Sequence, residues 1–154
     1  NDVALKVSYM VMEMLPGNPV TEIASLTTID GIINRSCEFG LQMLKALYDL
    51  HSTGLIHRDI KPENVGLYDK RLLVMYDMGM ARIMTDREGR SRTPRSFVGL
   101  RGTDEWASLE AELGREQSRL DDLWGWFYTM VEWVNCKSGA PLPWANYDSI
   151  PLVR

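Results

Sequence analysis

His57-Arg58-Asp59-Ile60-Lys61-Pro62-Glu63-Asn64 is the stretch on which the reading of this chain turns. It is a polar loop set between two regular elements. Upstream, over about residues 32–51, Ile33, Phe39, Met43, Leu44, Leu47 and Leu50 recur at helical spacing behind a cap at Thr28-Ile29-Asp30, which predicts a helix that buries one face. Downstream, residues 65–68 and 72–76 are β-prone and flank Asp69-Lys70, which predicts a small hairpin. Asp77-Met78-Gly79 follows thirteen residues after Asn64. Further out, residues 7–15 alternate and end at Pro16-Gly17-Asn18-Pro19, so they read as an edge-like strand and a turn. Residues 121–135 form a second helix, apolar on nearly every side and therefore expected to be buried.

Composition narrows the field. The chain has 154 residues, 45% of them hydrophobic and 25% charged, which is the composition of a globular domain with a packed core. Its net charge of −4 excludes a global basic surplus of the kind that drives non-specific nucleic-acid binding. Cys37 and Cys136 form no CxxC pair and read as buried free thiols rather than a disulfide framework or zinc cluster. No apolar run reaches the roughly 20 residues of a membrane span, and the first residues lack a signal-peptide layout, which points to a cytoplasmic or nuclear location. Residues 82–101 hold six arginines (82, 87, 90, 92, 95, 101) against Asp86 and Glu88, a local net of +4, and read as a long mobile loop.

The octet has the H-R-D-x-x-x-x-N form of a protein-kinase catalytic loop, with D-x-G at the expected distance. Either triplet alone is common and usually marks only a turn. The uninterrupted octet is specific because two further motifs follow in order: Arg101-Gly-Thr-Asp-Glu-Trp-Ala-Ser108, then Gln117-Ser-Arg-Leu-Asp-Asp-Leu-Trp124. With Leu142-Pro-Trp144 they make the chain resemble the casein kinase type-one superfamily, most closely its tau-tubulin-kinase-like branch. The resemblance implies an α+β, protein-kinase-like fold, mostly the α-helical C-terminal lobe with a short β-hairpin and with the N-terminal lobe largely absent. Residues 1–154 would be a partial kinase domain: hinge strand about 7–15, catalytic loop 57–64, activation segment about 77–110 and helix F about 121–135. No Gly-rich loop or strand lysine precedes Val7.

The resemblance also implies chemistry: ATP- and Mg²⁺-dependent phosphoryl transfer to Ser or Thr hydroxyls of protein substrates, with no nucleic-acid partner. Asp59 would orient the acceptor hydroxyl and take its proton, and Lys61 would balance charge on the moving phosphoryl group. Asn64 and Asp77 would offer oxygens to Mg²⁺, and Gly79 would let the backbone turn. Thr103 would link Asp59 to Lys61. Met12 would be the gatekeeper behind the adenine, with the Glu13 and Leu15 backbones as hinge groups. Gly66 stands where relatives place an apolar adenine floor, so a packing contribution of about 1.5–3 kcal/mol would be lost there. By themselves Asp121 and Asp122 read as a cap or first-turn acidic pair; the resemblance makes Asp122 the anchor of the catalytic loop. Arg58 would meet either the Asp122 neighbourhood or an activation-loop phosphate, and His57 would be packed structure rather than a base.

Some positions depart from the family pattern. Met78 replaces a Phe, Ser108-Leu109-Glu110 replaces Ala-Pro-Glu, and Glu105 replaces a basic residue that can receive a substrate phosphate. The arginine-rich loop reads either as a reader of acidic or phosphorylated residues or as a solvated segment, with Ser91 and Thr93 as candidate phosphoacceptors. The alternative to a kinase core is a pseudokinase-like binding or regulatory module, or a truncated gene product. For the 154-residue polypeptide alone, negligible phosphotransfer is expected.

Overall fold

The computed structural model describes residues 10–86 and 88–145. Its architecture is α+β, as expected: helices form the body, and two small antiparallel strand pairs sit at one side. Residues 7–9 of the expected hinge strand lie outside the described residues, and 10–15 are irregular rather than a strand. Their backbone has no partner strand among the described residues, so no ladder forms. Contact begins at Gly17, which exchanges two backbone hydrogen bonds with Leu67 (3.2 and 2.9 Å). Helix α1 (Pro19–Ala24), not singled out from sequence, starts there because the Asn18 side chain accepts from the Val20 amide and Pro19 suits a first helical position.

Helix α2 (Ile29–Ser52) begins at the Thr28 cap and buries Ile32, Ser36, Phe39, Gly40, Met43 and Leu47. Ile33, expected in the core, is exposed. The buried stripe steps back from Phe39 by three to Ser36 and by seven to Ile32, so a polar residue occupies the place where an apolar one would have marked the face. Cys37, next to Ser36, is on the outer side and exposed, and Cys136 is half-buried, so the expectation of two buried thiols is corrected. Strand β1 (Leu55–Ile56) pairs with β4 (Arg82–Ile83), and β2 (Val65–Tyr68) forms the expected hairpin with β3 (Leu72–Met75). Asp69 and Lys70 both have positive φ, the hand that a tight hairpin turn requires.

A single turn of helix, α3 (Leu109–Glu112), precedes α4 (Arg119–Val134), which packs across α2. Phe39 meets Trp133 edge to face at 6.3 Å, and Trp126 Nε1 donates to the Gly40 carbonyl at 2.9 Å. Gly125 lets α4 approach the chain at Ile60: a Cβ there would lie 2.8 Å from Ile60 Cβ and 2.9 Å from its carbonyl oxygen. Helix α4 is not buried all round. Asp122, Gly125, Tyr128, Thr129 and Trp133 face inward, while Leu120, Trp124, Phe127 and Val134 are exposed. The outer aromatics are covered by neighbouring rings, with Trp124 6.0 Å from Phe127 and 5.7 Å from the buried Tyr128, which Trp144 meets edge to face at 4.9 Å. Among the described residues no helix is long and apolar enough to cross a membrane.

Candidate functional site

The site is built from α4 outward. Ser118 and Asp121 form a reciprocal capping box at the start of α4, which fixes the register of the next residue, Asp122. Asp122 is buried, and an ionised carboxylate there is tolerable only with its lone pairs filled. Its Oδ2 accepts from the His57 amide (2.8 Å) and meets His51 Nε2 (2.8 Å), while Oδ1 accepts from the Arg58 amide (2.8 Å). These bonds hold Arg58 at φ 70°, a left-handed backbone that costs energy in a non-glycine residue. The fully buried His57 ring donates from Nε2 to the Tyr76 carbonyl (3.1 Å) and accepts at Nδ1 from the Asp59 amide (3.4 Å). One donor and one acceptor define a neutral tautomer. His57 thus joins the catalytic loop to the residue before Asp77, and both its nitrogens are engaged. The Arg58 side chain donates from Nε to the Met80 carbonyl at 2.6 Å.

The strained turn presents Asp59 to a closed set of partners. Thr103 Oγ1 donates to Asp59 Oδ1 (2.8 Å), Lys61 Nζ sits 3.0 Å from Oδ2, and Asn64 Nδ2 donates to Oδ2 (3.0 Å) and to the Asp59 carbonyl (2.7 Å). Lys61 Nζ also donates to Thr103 Oγ1 at 2.6 Å, completing a triangle. Burial alone would raise the Asp59 carboxyl, but the hydrogen bonds from Lys61 and Thr103, the Lys61 charge and the Asn64 amide together hold it below the ordinary carboxylate range. Thr103 reaches it because Gly102 takes φ 99° and passes close to the Arg58 carbonyl, which a Cβ would meet at 2.5 Å.

The D-x-G side is more open. Asp77 is exposed in a left-handed conformation (φ 59°), and its Oδ1 accepts from the Gly79 amide at 3.2 Å. The Tyr76 amide donates to the Asn64 carbonyl at 3.0 Å, which brings the backbones at positions 64 and 77 together. Met78 is half-exposed. A cavity of about 370 Å³ lies between Met12, Glu13 and Leu15 on one wall and Tyr68, Leu72, Val74 and Tyr76 on the other. Met12 is one of the lining residues and is exposed. Gly66 does not leave a hole: a Cβ there would lie 2.5 Å from Leu15 Cδ1 and 3.3 Å from Tyr76 Cε1, so those side chains fill the space a larger residue would take. Among the described residues no cluster of three or more His, Cys, Asp or Glu forms a ready metal centre.

The segment after Asp77 is tied down rather than loose. Asp86 accepts from the Glu88 and Arg90 amides and from Arg90 Nε, Thr85 and Ser91 bridge, and Glu116 pairs with Arg82 and Arg95. Arg87 lies outside the described residues. Ser91 and Thr93 are both exposed. Ser108 accepts from the Ala111 amide at the start of α3 and donates to Asp121 Oδ1 at 2.5 Å, so the serine of the Ser-Leu-Glu variant joins the segment to α4. At the departure nearby, the Glu105 carbonyl accepts from Trp144 Nε1 (2.8 Å), and Trp106 Nε1 donates to Glu132 Oε2 (3.0 Å). Burial first, then the charges of Glu63 and Glu105, push the Glu132 carboxyl up to about 7 against the opposing Trp106 bond.

The structure therefore brings Asp59, Lys61, Asn64 and Thr103 into one network, with His57, Arg58 and Asp122 beneath it. Met12, Glu13 and Leu15 are gathered separately along the cavity, and Gly66 lies against Leu15 and Tyr76. Sequence reading missed His51, Glu116 and Glu132. Glu132 had a signal, because it is the one charged residue between Leu123 and Val134.

Residues 4–145 match the model of the protein kinase domain. The chain belongs to that family. A Dictyostelium discoideum protein named "Probable serine/threonine-protein kinase" is 35% identical over 143 residues, covering 89% of this chain and 28% of that protein. Casein kinase I homolog 1 of Saccharomyces cerevisiae is 38% identical over 92 residues, 56% of this chain and 17% of its own length. The inactive tau-tubulin kinase ttbk-6 of Caenorhabditis elegans is 28% identical, with 89% of this chain and 51% of that protein covered. The chain thus spans a minority of the length of the first two and about half of the third.

Proposed function

We propose that this chain is the catalytic part of a serine/threonine protein kinase of the casein-kinase-like group, near its tau-tubulin-kinase-like branch, and that it acts on protein hydroxyls with ATP. The observation that carries the reading is the triangle of Asp59, Lys61 and Thr103, in which every side is 3.0 Å or less. Asp59, kept ionised, is placed to orient an acceptor hydroxyl and take its proton. Lys61 carries positive charge beside it for a phosphoryl group in transit, and Thr103 fixes the separation of the two. The donor set suits a hard cation: Asp77 presents an exposed carboxylate, and Asn64, whose amide nitrogen is spent on Asp59, retains its oxygen. Mg²⁺, when bound, neutralises phosphate charge there. The apolar walls of Leu15, Val74 and Tyr76 fit a planar base.

The test is phosphotransfer to a Ser/Thr peptide library by the full-length protein with Mg-ATP. Asp59→Asn is expected to lower the rate by about 10²–10⁴-fold, the usual worth of a positioned base; an unchanged rate would remove the assignment. Glu105 repels a substrate phosphate, so pre-phosphorylated peptides should gain nothing at that position. A second reading, a non-catalytic binding module, is favoured by the likeness to a relative named inactive. Nucleotide binding with no Asp59-dependent turnover would support it.

A further inference from the structure

Thr103 opens the single 3₁₀ turn Asp104–Trp106, which the Trp106 amide closes on the Thr103 carbonyl (3.1 Å) and the Ala107 amide on the Asp104 carbonyl (3.2 Å). A threonine in that place ordinarily caps the turn with its hydroxyl. Here the hydroxyl donates to Asp59 and accepts from Lys61, and no side-chain cap forms. An isolated 3₁₀ turn has poor hydrogen-bond geometry of its own, so one whose cap is spent elsewhere needs support from outside.

Two indoles supply that support. Trp106 Nε1 leaves the turn and donates to Glu132 Oε2 on α4 (3.0 Å), while Trp144 Nε1 comes in from beyond α4 and donates to the Glu105 carbonyl (2.8 Å). Both rings are anchored. Trp106 is buried with Tyr128 and the fully buried Leu142 in a small core apart from the main one, and Trp144 packs against it, edge to face with Tyr128 at 4.9 Å. The Ala145 amide turns back to the Leu142 carbonyl (3.1 Å), which sets the direction from which the Trp144 indole arrives. This second core thus joins the turn, α4 and residues 142–145, and its two N–H bonds grip consecutive residues, 105 and 106, one turn away from the Thr103 hydroxyl.

We propose that Trp144 is a positioning residue for the transfer site: with Trp106 it clamps the Asp104–Trp106 turn against α4, and the clamp holds the Thr103 hydroxyl in its place between Asp59 and Lys61. The indole N–H is the part that acts, because the ring alone packs on Tyr128 without touching the turn's backbone. The effect on phosphotransfer rests on the function proposed above, whereas the clamp itself does not.

Trp144→Phe in the full-length protein tests it, since this change keeps an aromatic ring against Tyr128 and removes the N–H. Its kcat is expected to fall about tenfold, as for a slight misplacement of reacting groups. The KM for Mg-ATP should stay unchanged, because the cavity beside Met12 and Leu15 shares no residue with the clamp. As the clamp works through Thr103, adding Trp144→Phe to Thr103→Val should lower kcat no further. Hydrogen exchange gives a readout that needs no turnover: in Trp144→Phe the indole and backbone N–H groups of Trp106 should exchange about tenfold faster, as a local opening, while the buried amides of α2 keep their rates. An unchanged kcat, multiplied effects in the double variant, or Trp106 exchange as slow as in the unaltered protein would each overturn the proposal. If Trp144→Phe does not fold, Trp106→Phe decides by kcat and by exchange of the amide at position 106. If the unaltered protein transfers no phosphate, the kinase reading fails, and exchange at Trp106 alone decides the clamp.

Discussion

Asp59 and Asp77 are both carboxylates on loops beside the same hairpin, yet their surroundings differ. Asp59 is held by Thr103, Lys61 and Asn64 from two segments, above a buried Asp122 that fixes the backbone. Asp77 is exposed and, among the described residues, bonded within its own turn to the Gly79 amide. The first is preorganised by the chain's own groups; the second is exposed, with one oxygen bonded to its own turn. A group that must meet a proton at one fixed point gains from a rigid setting, while one that must exchange water for a cation gains from open coordination.

That contrast can be broken most strongly from below. Asp122→Ala strands two buried amides and His51 and is expected to cost about 3–5 kcal/mol, read by urea unfolding. It would leave the Asp59 side as loose as the Asp77 side. Thr103→Val removes one hydroxyl between two charged groups and should cost about 1.5–3 kcal/mol. It should also return the Asp59 carboxyl toward its ordinary range, measurable by NMR titration; Thr103→Ser should restore both.

Glu132 sharpens the comparison from a third position. Its native carboxyl, at about 7, holds a proton that the unfolded chain releases near the ordinary value of 4.5. The native state therefore binds more protons between those values, and stability falls as pH rises from about 4.5 to about 7, then levels off. Because the group is only half-buried, solvent screening reduces the loss to on the order of 1 kcal/mol. Melting temperatures at pH 5 and pH 8 should show the fall in the unaltered protein and not in Glu132→Gln. Smallest of all, Asp77→Asn should change stability by less than about 0.5 kcal/mol, since an exposed carboxylate bonded to its own turn contributes little to folding. A larger loss in urea unfolding would mean that the open side is as built-in as the closed one.

These differences also explain what could be read from the chain. The octet was legible from its residue types and their order, and Thr103 and Asp122 only through the family resemblance. The two helices were legible from periodicity, and the hairpin from its turn. The stripe of α2 was misplaced by one residue because Ser36 fills an apolar position, and α4 was expected to be buried because its outer face is aromatic, although those rings shield one another. Strands β1 and β4 are two residues each and have no pattern of their own; only their pairing across the fold makes them strands. Glu116 was illegible for the same reason: an acid in a charged turn reads as solvated until Arg82 and Arg95 are brought to it from 34 and 21 residues away.

The bond from Asp122 to the His57 amide spans 65 residues. During synthesis, helix α2, the octet and the hairpin leave the ribosome well before the carboxylate that fixes the left-handed turn at Arg58. Until then a nascent chain has every residue of the Asp59 loop but nothing to hold the turn, and closing so long a loop carries an entropic cost that only docking of α4 offsets. Assembly of the loop is thus a late event in biogenesis, coupled to arrival of the second long helix.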